Sequence, residues 1–260
     1  MLITIKRRNL SFGFTLIELL VVVAIVGVLS SVIVVLVQSA REKARISGAL
    51  SFAAHLDRVL GDQMGGWDFN ECAGVTSSNL IGGYSTATVP SGSWSNDTPA
   101  NKPGCSIALN GSQHIVIPHS GLLNPRLGSG TWAFWFKVSS GGTSRTVFRK
   151  SDGANSSGVI IDLDPSGILS CRVHTNGVLA VYASGSYDDN KWHFLTCVLD
   201  RSSQTLSVYI DGNLRGTNSA AVLNGVDLNA GAPVYVGSNG YAGWFIGNID
   251  NIRMYANALQ

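Results

Sequence analysis

Glutamate is almost missing from this chain: among 260 residues it occurs only at Glu18, Glu42 and Glu71. Glycoside hydrolysis normally takes two carboxylates, Asp or Glu, facing one cleft, and only Glu71 of the three glutamates lies beyond residue 61. Charge of either sign is thin, 13% of residues against 45% apolar. The net charge of +2 is concentrated at one end, because Lys6, Arg7 and Arg8 precede residue 14. Removing those three from the 18 basic residues leaves 15 against 16 acidic ones, a net of −1. A nearly neutral chain lacks the electrostatic footprint of a nucleic-acid binder. Proline does not occur before Pro90, so no such breaker interrupts a helix early in the chain. The cysteines (Cys72, Cys105, Cys171 and Cys197) include no CxxC pair and no histidine at ligand spacing, which argues against a zinc site. His114, His119, His174 and His193 are scattered without a serine or cysteine nucleophile motif.

What is present begins with an apolar run. Residues 19–37 hold no charge over 19 positions, about the length that crosses a bilayer core as helix. Glu18 stands at its start, where a carboxylate costs roughly 2.5–3.5 kcal/mol on insertion scales and so points to function. An ordinary signal peptide has a shorter apolar core, about 7–15 residues. A plain single-pass anchor explains the length but not the acid. Beyond the run, Ile46, Ala49, Leu50, Ala53, Leu56 and Leu60 recur at helical spacing, one face of an amphipathic continuation that Gly61 and Gly65-Gly66 end. Helix from Phe14 to Gly61 makes a rod of about 70 Å. His55 reads as solvated.

After Gly66 the texture turns to short β-rich runs punctuated by glycine, of which the chain has 30. Strands are predicted at 115–117, 131–138, 145–150, 158–163, 168–174, 178–182, 192–199, 205–210, 234–236 and 249–255. Leu206, Val208 and Ile210 alternate with Thr205, Ser207 and Tyr209, the period of a half-buried strand. Short strands at this spacing argue a mainly β fold, a sandwich or jelly roll carried on the one long N-terminal helix. The segment between Asn70 and Gly111 is loop-rich. Cys72 and Cys105 lie near its ends and are expected to bond, closing a loop of about 33 residues worth roughly 3–4 kcal/mol. Cys171 and Cys197, within strands, are expected to pair with each other.

Two resemblances sharpen this reading. Gly13-Phe14-Thr15-Leu16-Ile17-Glu18 behind a basic leader resembles the N-terminus of a type IV prepilin or pseudopilin. That resemblance implies cleavage by a prepilin peptidase between Gly13 and Phe14, N-methylation of Phe14, and a Glu18 that pairs with a Phe14 amine during filament assembly. It implies other pilin subunits as partners. The precursor would sit in the cytoplasmic membrane with its N-terminus inside, held so by the leader charges, before reaching an extracellular filament or the cell surface. Further on, Trp67-Asp68-Phe69-Asn70-Glu71, Ala108-Leu109-Asn110-Gly111-Ser112, Trp132-Ala133-Phe134-Trp135-Phe136-Lys137, Lys191-Trp192-His193-Phe194, Val208-Tyr209-Ile210-Asp211-Gly212 and residues 247–255 stand in the order of laminin-G-like jelly rolls of the concanavalin A lectin/glucanase group. The domains expected are a leader at 1–13, a pilin-type helix at 14–63 and a jelly-roll head at 64–260.

The jelly-roll resemblance also bears on sites. Related glucanases carry a Glu-x-Asp-x-x-Glu-like run on one strand, which this chain lacks, so no catalytic residue and no enzyme activity is expected. Asp162 and Asp164 alternate, but Pro165-Ser166-Gly167 follows and marks a hairpin end. Trp67, Trp132, Trp135 and Trp192 read as core. Trp94, Tyr241 and Trp244 fall in loops or at strand edges, where Tyr241 and Trp244 are the candidate stacking platform for a glycan or surface-protein ligand. Jelly rolls of this group often hold a structural Ca²⁺ by an Asp of the last strand, a position Asp250 matches; a turn cap or a pair with Arg253 is the alternative. The functions open are a pilus subunit or adhesin, a pseudopilin of a type II secretion or DNA-uptake system, and a membrane-tethered lectin-like protein.

Overall fold

One helix, α1 (Leu16–Leu60), opens the described chain, and all other regular structure is strand or short 3-10 turn. The computed structural model describes residues 14–82, 85–138, 143–153, 157–175 and 177–259. Gly13 and the leader lie outside the described residues. The chain divides into two compact units, Met1–Ala44 and Arg45–Gln260. The last third of α1, from Arg45 on, therefore belongs to the same unit as the strands.

In the first unit the helix is long and apolar enough to cross a membrane, and no part of that span is covered by the protein itself. Leu19, Val23, Val28, Val32 and Leu36 all lie open. So large an uncovered apolar surface needs lipid or other chains around it.

In the second unit the strands are β1 (Gln63–Trp67), β2 (Thr76–Ser77), β3 (Ala87–Thr88), β4 (Trp94–Ser95), β5 (Ser106–Asn110), β6 (Ile115–Ile117), β7 (Gly130–Val138), β8 (Arg145–Ser151), β9 (Gly158–Leu163), β10 (Leu169–His174), β11 (Val178–Tyr182), β12 (Trp192–Asp200), β13 (Thr205–Ile210), β14 (Asn213–Ser219), β15 (Val234–Val236) and β16 (Ile246–Tyr255). They form two eight-stranded antiparallel sheets. The first runs β14-β13-β12-β7-β16-β5-β4, with β1 also on β16; the second runs β11-β10-β9-β8-β15-β6-β3-β2. The inner faces alternate as a sandwich requires. Phe134, Phe136, Leu195, Val208 and Ile249 of the first sheet meet Phe148, Ile161, Val173, Val234 and Ile117 of the second.

Cys171 on β10 and Cys197 on β12 are bonded through this core, tying one sheet to the other. Cys72 and Cys105 are bonded at 5.4 Å between Cα atoms, closing the loop-rich segment.

The docked part of α1 covers the outer face of the first sheet. Ile46, Ala49, Leu56 and Leu60 pack on Ala133, Trp135, Trp192, Phe194 and Tyr255. Burying each large aliphatic contributes about 1.5–3 kcal/mol. All four tryptophans read as core are buried, but Trp135 and Trp192 lie under the helix rather than between the sheets. The helix stops because Gly61 takes a left-handed φ of 57° and Asn257 caps the Leu60 carbonyl through Nδ2 at 3.1 Å. Gly65 and Gly66 fall inside β1 rather than in a terminating turn. A Cβ on Gly65 would stand 2.7 Å from the Trp67 ring, so glycine lets the strand pass there.

Candidate functional site

At the start of α1, Thr15 and Glu18 form a reciprocal cap. The Thr15 backbone N–H and Oγ1 donate to Glu18 Oε2 at 2.9 and 2.8 Å, and Glu18 N–H donates to Thr15 Oγ1 at 3.2 Å. This is the S/T-x-x-E capping box, a signal present in the sequence and passed over there. It gives the Glu18 carboxylate donors within its own chain. Phe14, next to it, is exposed.

On the sandwich, Tyr241 is 91% exposed at the tip of the loop joining β15 to β16. The loop is held from within. Asn239 Oδ1 accepts from the N–H of Tyr241 and Ala242 at 3.0 and 2.7 Å, and Ser238 Oγ accepts from Gly240 N–H at 3.0 Å. Gly237, Gly240 and Gly243 all have positive φ, which lets the chain reverse so tightly. Trp244 is half-buried and stacks on His114, ring centres 5.5 Å apart and planes at 6°, so one of its faces is taken. His114 meets the Tyr235 ring edge-on at 5.3 Å and bonds Ser238 Oγ through Nδ1 at 2.9 Å. His114 thus belongs to the aromatic cluster, although nothing in its neighbourhood in the sequence signals that. Trp94 packs against the core and donates Nε1–H to the Gly74 carbonyl at 2.8 Å.

Asp250 lies on β16 opposite Trp135, only 6% exposed. Burial pushes its carboxyl up to about 8, and the nearby Asp68 charge adds to this against Asn251 N–H, Arg253 and Lys102. Its Oδ1 is buried with no hydrogen-bond partner among the described residues. Arg253 is committed elsewhere, to Asp68 and, at 3.7 Å, to Asp57. A cation would supply what Oδ1 lacks, so the residue fits a Ca²⁺ ligand chemically. Among the described residues, however, no group of three His, Cys, Asp or Glu side chains converges there. Most ligands would have to be backbone carbonyls, which Ca²⁺ accepts.

Other acids are engaged in structure. Asp162 pairs with Arg172 across β9 and β10, and Asp164 Oδ1 accepts from Ser166 and Ile168 N–H at 2.8 and 3.0 Å, closing the hairpin. At the helix–sheet junction Arg45 donates to Asp211 Oδ2 and to the Trp192 carbonyl, both at 2.6 Å. His193 stands between Asp211 at 2.9 Å and Asp189 at 3.1 Å. Burial would raise the Asp211 carboxyl, but the His193 hydrogen bond and charge, Phe194 N–H and Arg45 outweigh it and hold it low. Such a network fixes α1 on the sheet; His55 is exposed.

Comparison with known proteins follows the same division. Residues 109–260 match the family model of the concanavalin A-like lectin/glucanases superfamily, and residues 8–34 match the prokaryotic N-terminal methylation motif. Type IV major fimbrial protein FimA of Dichelobacter nodosus is 34% identical over 99 residues, 37% of this chain and 59% of that protein. The binding domain of Paraclostridial Mosquitocidal Protein 1 superposes with a TM-score of 0.62 at 15% identity, covering 77% of this chain and 50% of that one. Domain 4 of the extracellular arabinanase AbnA of Geobacillus stearothermophilus, solved with arabinotriose, superposes at 0.58 and 20% identity, covering 76% and 94%. The chain thus spans about half to three fifths of the length of the first two proteins. At these identities the structural likeness carries the fold alone.

Proposed function

This chain belongs to the concanavalin A-like lectin/glucanases superfamily, and on that premise we propose that it is a type IV pilin-like subunit displaying a non-catalytic binding head. The observation that carries the reading is α1 itself. One unbroken helix begins as an uncovered membrane-length apolar span, with Glu18 at its head, and ends as a built-in layer of the sandwich. A helix of that kind serves as anchor in the precursor and as the packing element of a filament, where neighbouring copies cover what the chain leaves bare. The leader charges Lys6, Arg7 and Arg8 hold the N-terminus inside, so the head faces out.

The head then serves adhesion, by binding a glycan or a surface protein. Tyr241 on its braced loop is the exposed ring, with the half-buried Trp244 three residues on in the same loop, and an aromatic face suits sugar stacking. Ca²⁺ on Asp250, completed by backbone carbonyls, would support β16 within the first sheet. Hydrolysis is not part of this reading: Asp162 and Asp211 are engaged in ion pairs and Asp164 in a hairpin turn.

Intact-mass measurement of the protein recovered from the cell surface tests this reading. The expected species starts at a methylated Phe14. A surface protein that still carries residues 1–13 would overturn it.

A further inference from the structure

The outer face of the second sheet looks away from the docked helix, and its residues line up in one register. Tyr235 on β15 stands opposite Arg149 on β8, Arg149 opposite Ile160 on β9, Ile160 opposite Arg172 on β10, and Arg172 opposite Ala180 on β11. Alternation along each strand puts this whole row outside, since Val159, Ile161, Cys171 and Val173 are the inward residues. Ile160 is nonetheless only 4% exposed. Arg149 and Arg172 flank it in the register, and arginine stems can lay their methylenes over such apolar surface.

The two arginines differ. Arg172 is neutralised by Asp162. Arg149 is half-buried and has no ion pair or hydrogen-bond acceptor among the described residues. A guanidinium held beside an aromatic ring on an open face, with its five donors unanswered, is poised for an incoming carboxylate, which it can take in two parallel hydrogen bonds. Next to it Tyr235 meets the His114 ring, and a Cβ on Gly240 would stand 3.3 Å from the Tyr235 ring. At the far end Tyr182, 63% exposed, stands across from Ser170 and diagonal to Arg172. From β15 to β11 is four strand steps, about 19 Å. The face is therefore a hydroxyl- and ring-bordered strip with one unanswered positive charge.

We propose that this strip binds an acidic oligosaccharide, with Arg149 as the anchor for a sugar carboxylate. The proposal rests on the head being a binding module, and names the ligand class and a face distinct from the Tyr241 tip. An acidic peptide would also answer the charge. The tyrosine rings at both ends of the row favour a sugar chain, whose rings can lie on tyrosine faces.

The test uses the full chain in detergent micelles and measures affinity by biolayer interferometry. The probes are oligogalacturonate, alginate oligomers and sialyllactose, each beside its carboxyl-reduced form, with heparin oligosaccharide and poly-glutamate as further arms. At least one carboxylated sugar is expected to bind, and its carboxyl-reduced form about tenfold or more weaker, the loss of one charge-assisted pair. Arg149→Gln should lose the same factor, and Arg149→Lys most of it, because lysine keeps the charge but not the fork. Arg149 is on the surface, and unchanged melting of both variants would confirm that folding is intact. Tyr241→Ala should leave acid binding within about twofold. Several results would overturn the proposal: no carboxylated sugar bound, affinity unaffected by Arg149→Gln, or heparin or poly-glutamate preferred. If neutral sugars then bind through Tyr241, the adhesive reading of the head survives; if no sugar or surface protein binds at all, both fall.

Discussion

A carboxylate oxygen buried without a hydrogen-bond partner is costly, and Oδ1 of Asp250 is in that position. Its carboxyl sits at about 8 in the folded head against 3.8 when exposed, so folding takes up a proton. That contribution to stability is fully present below about pH 4 and is lost as pH rises through about 8. With a chelator present, the head should lose up to about 1.4 kcal/mol per pH unit across this window, read from urea melts. Asp250→Asn should flatten the profile. Ca²⁺ should act in the opposite direction, raising the melting temperature more at pH 8 than at pH 5, because only the ionised group binds it. A Ca²⁺ effect that persists in Asp250→Asn would remove this residue from the site. Asp250 is singled out in the sequence through the jelly-roll resemblance, as an Asp of the last strand. Arg149 is not, because an arginine in a strand has no motif; its meaning lies in partners at 160 and 235 that only the register brings alongside. The stacking of His114 on Trp244 is hidden for the same reason, across 130 positions.

The elements divide along the same physical line. Strands with alternating or uniformly apolar runs were readable to the residue, such as 158–163, 178–182 and 205–210. β14 was not, because Asn213–Ser219 is an edge strand with almost no buried side chain and therefore no alternation to read. β1 was hidden behind its glycines, which serve close packing against Trp67 rather than a turn. The amphipathic stripe of α1 was visible, but what pins it was not. Arg45, the last residue of the charged stretch Arg41-Glu42-Lys43-Ala44-Arg45, reaches Asp211 and the Trp192 carbonyl. Arg45→Ala should destabilise the head by about 2–4 kcal/mol, since it leaves Asp211 buried beside His193 with less compensation. Leu56→Ala, a deletion in the buried stripe, should cost about 2–5 kcal/mol. Either cost is measurable by chemical denaturation. Melting unchanged in both variants would mean that the helix end does not stabilise the sandwich.

At the scale of the whole molecule the two disulfides act differently. Cys72–Cys105 closes a segment with little strand of its own, while Cys171–Cys197 crosses between the sheets. Loops of 33 and 26 residues predict about 3–4 kcal/mol each from chain entropy. Removing the second should lower the melting temperature of the entire head, and removing the first should chiefly expose residues between 72 and 105 to protease. Both are readable by limited proteolysis during a thermal ramp. The general plan, an apolar helix carrying a β head, was legible because composition changes abruptly after Gly66. The sheet order was not, because β16 returns from the end of the chain to lie between β7 and β5.

The central claim is that this chain enters a filament through α1, with Glu18 directing assembly. In the single chain that carboxylate is held by Thr15, and in the filament it would exchange this for a neighbour's Phe14 amine. The direct measurement is the amount of protein in sheared surface filaments for wild type and Glu18→Ala, normalised to the cleaved form in the membrane. The account predicts normal cleavage and membrane content for the variant, and filament content reduced about tenfold or more, as loss of one buried charge pair would give. Equal filament content in the two proteins, or no wild-type protein in filaments at all, would contradict it.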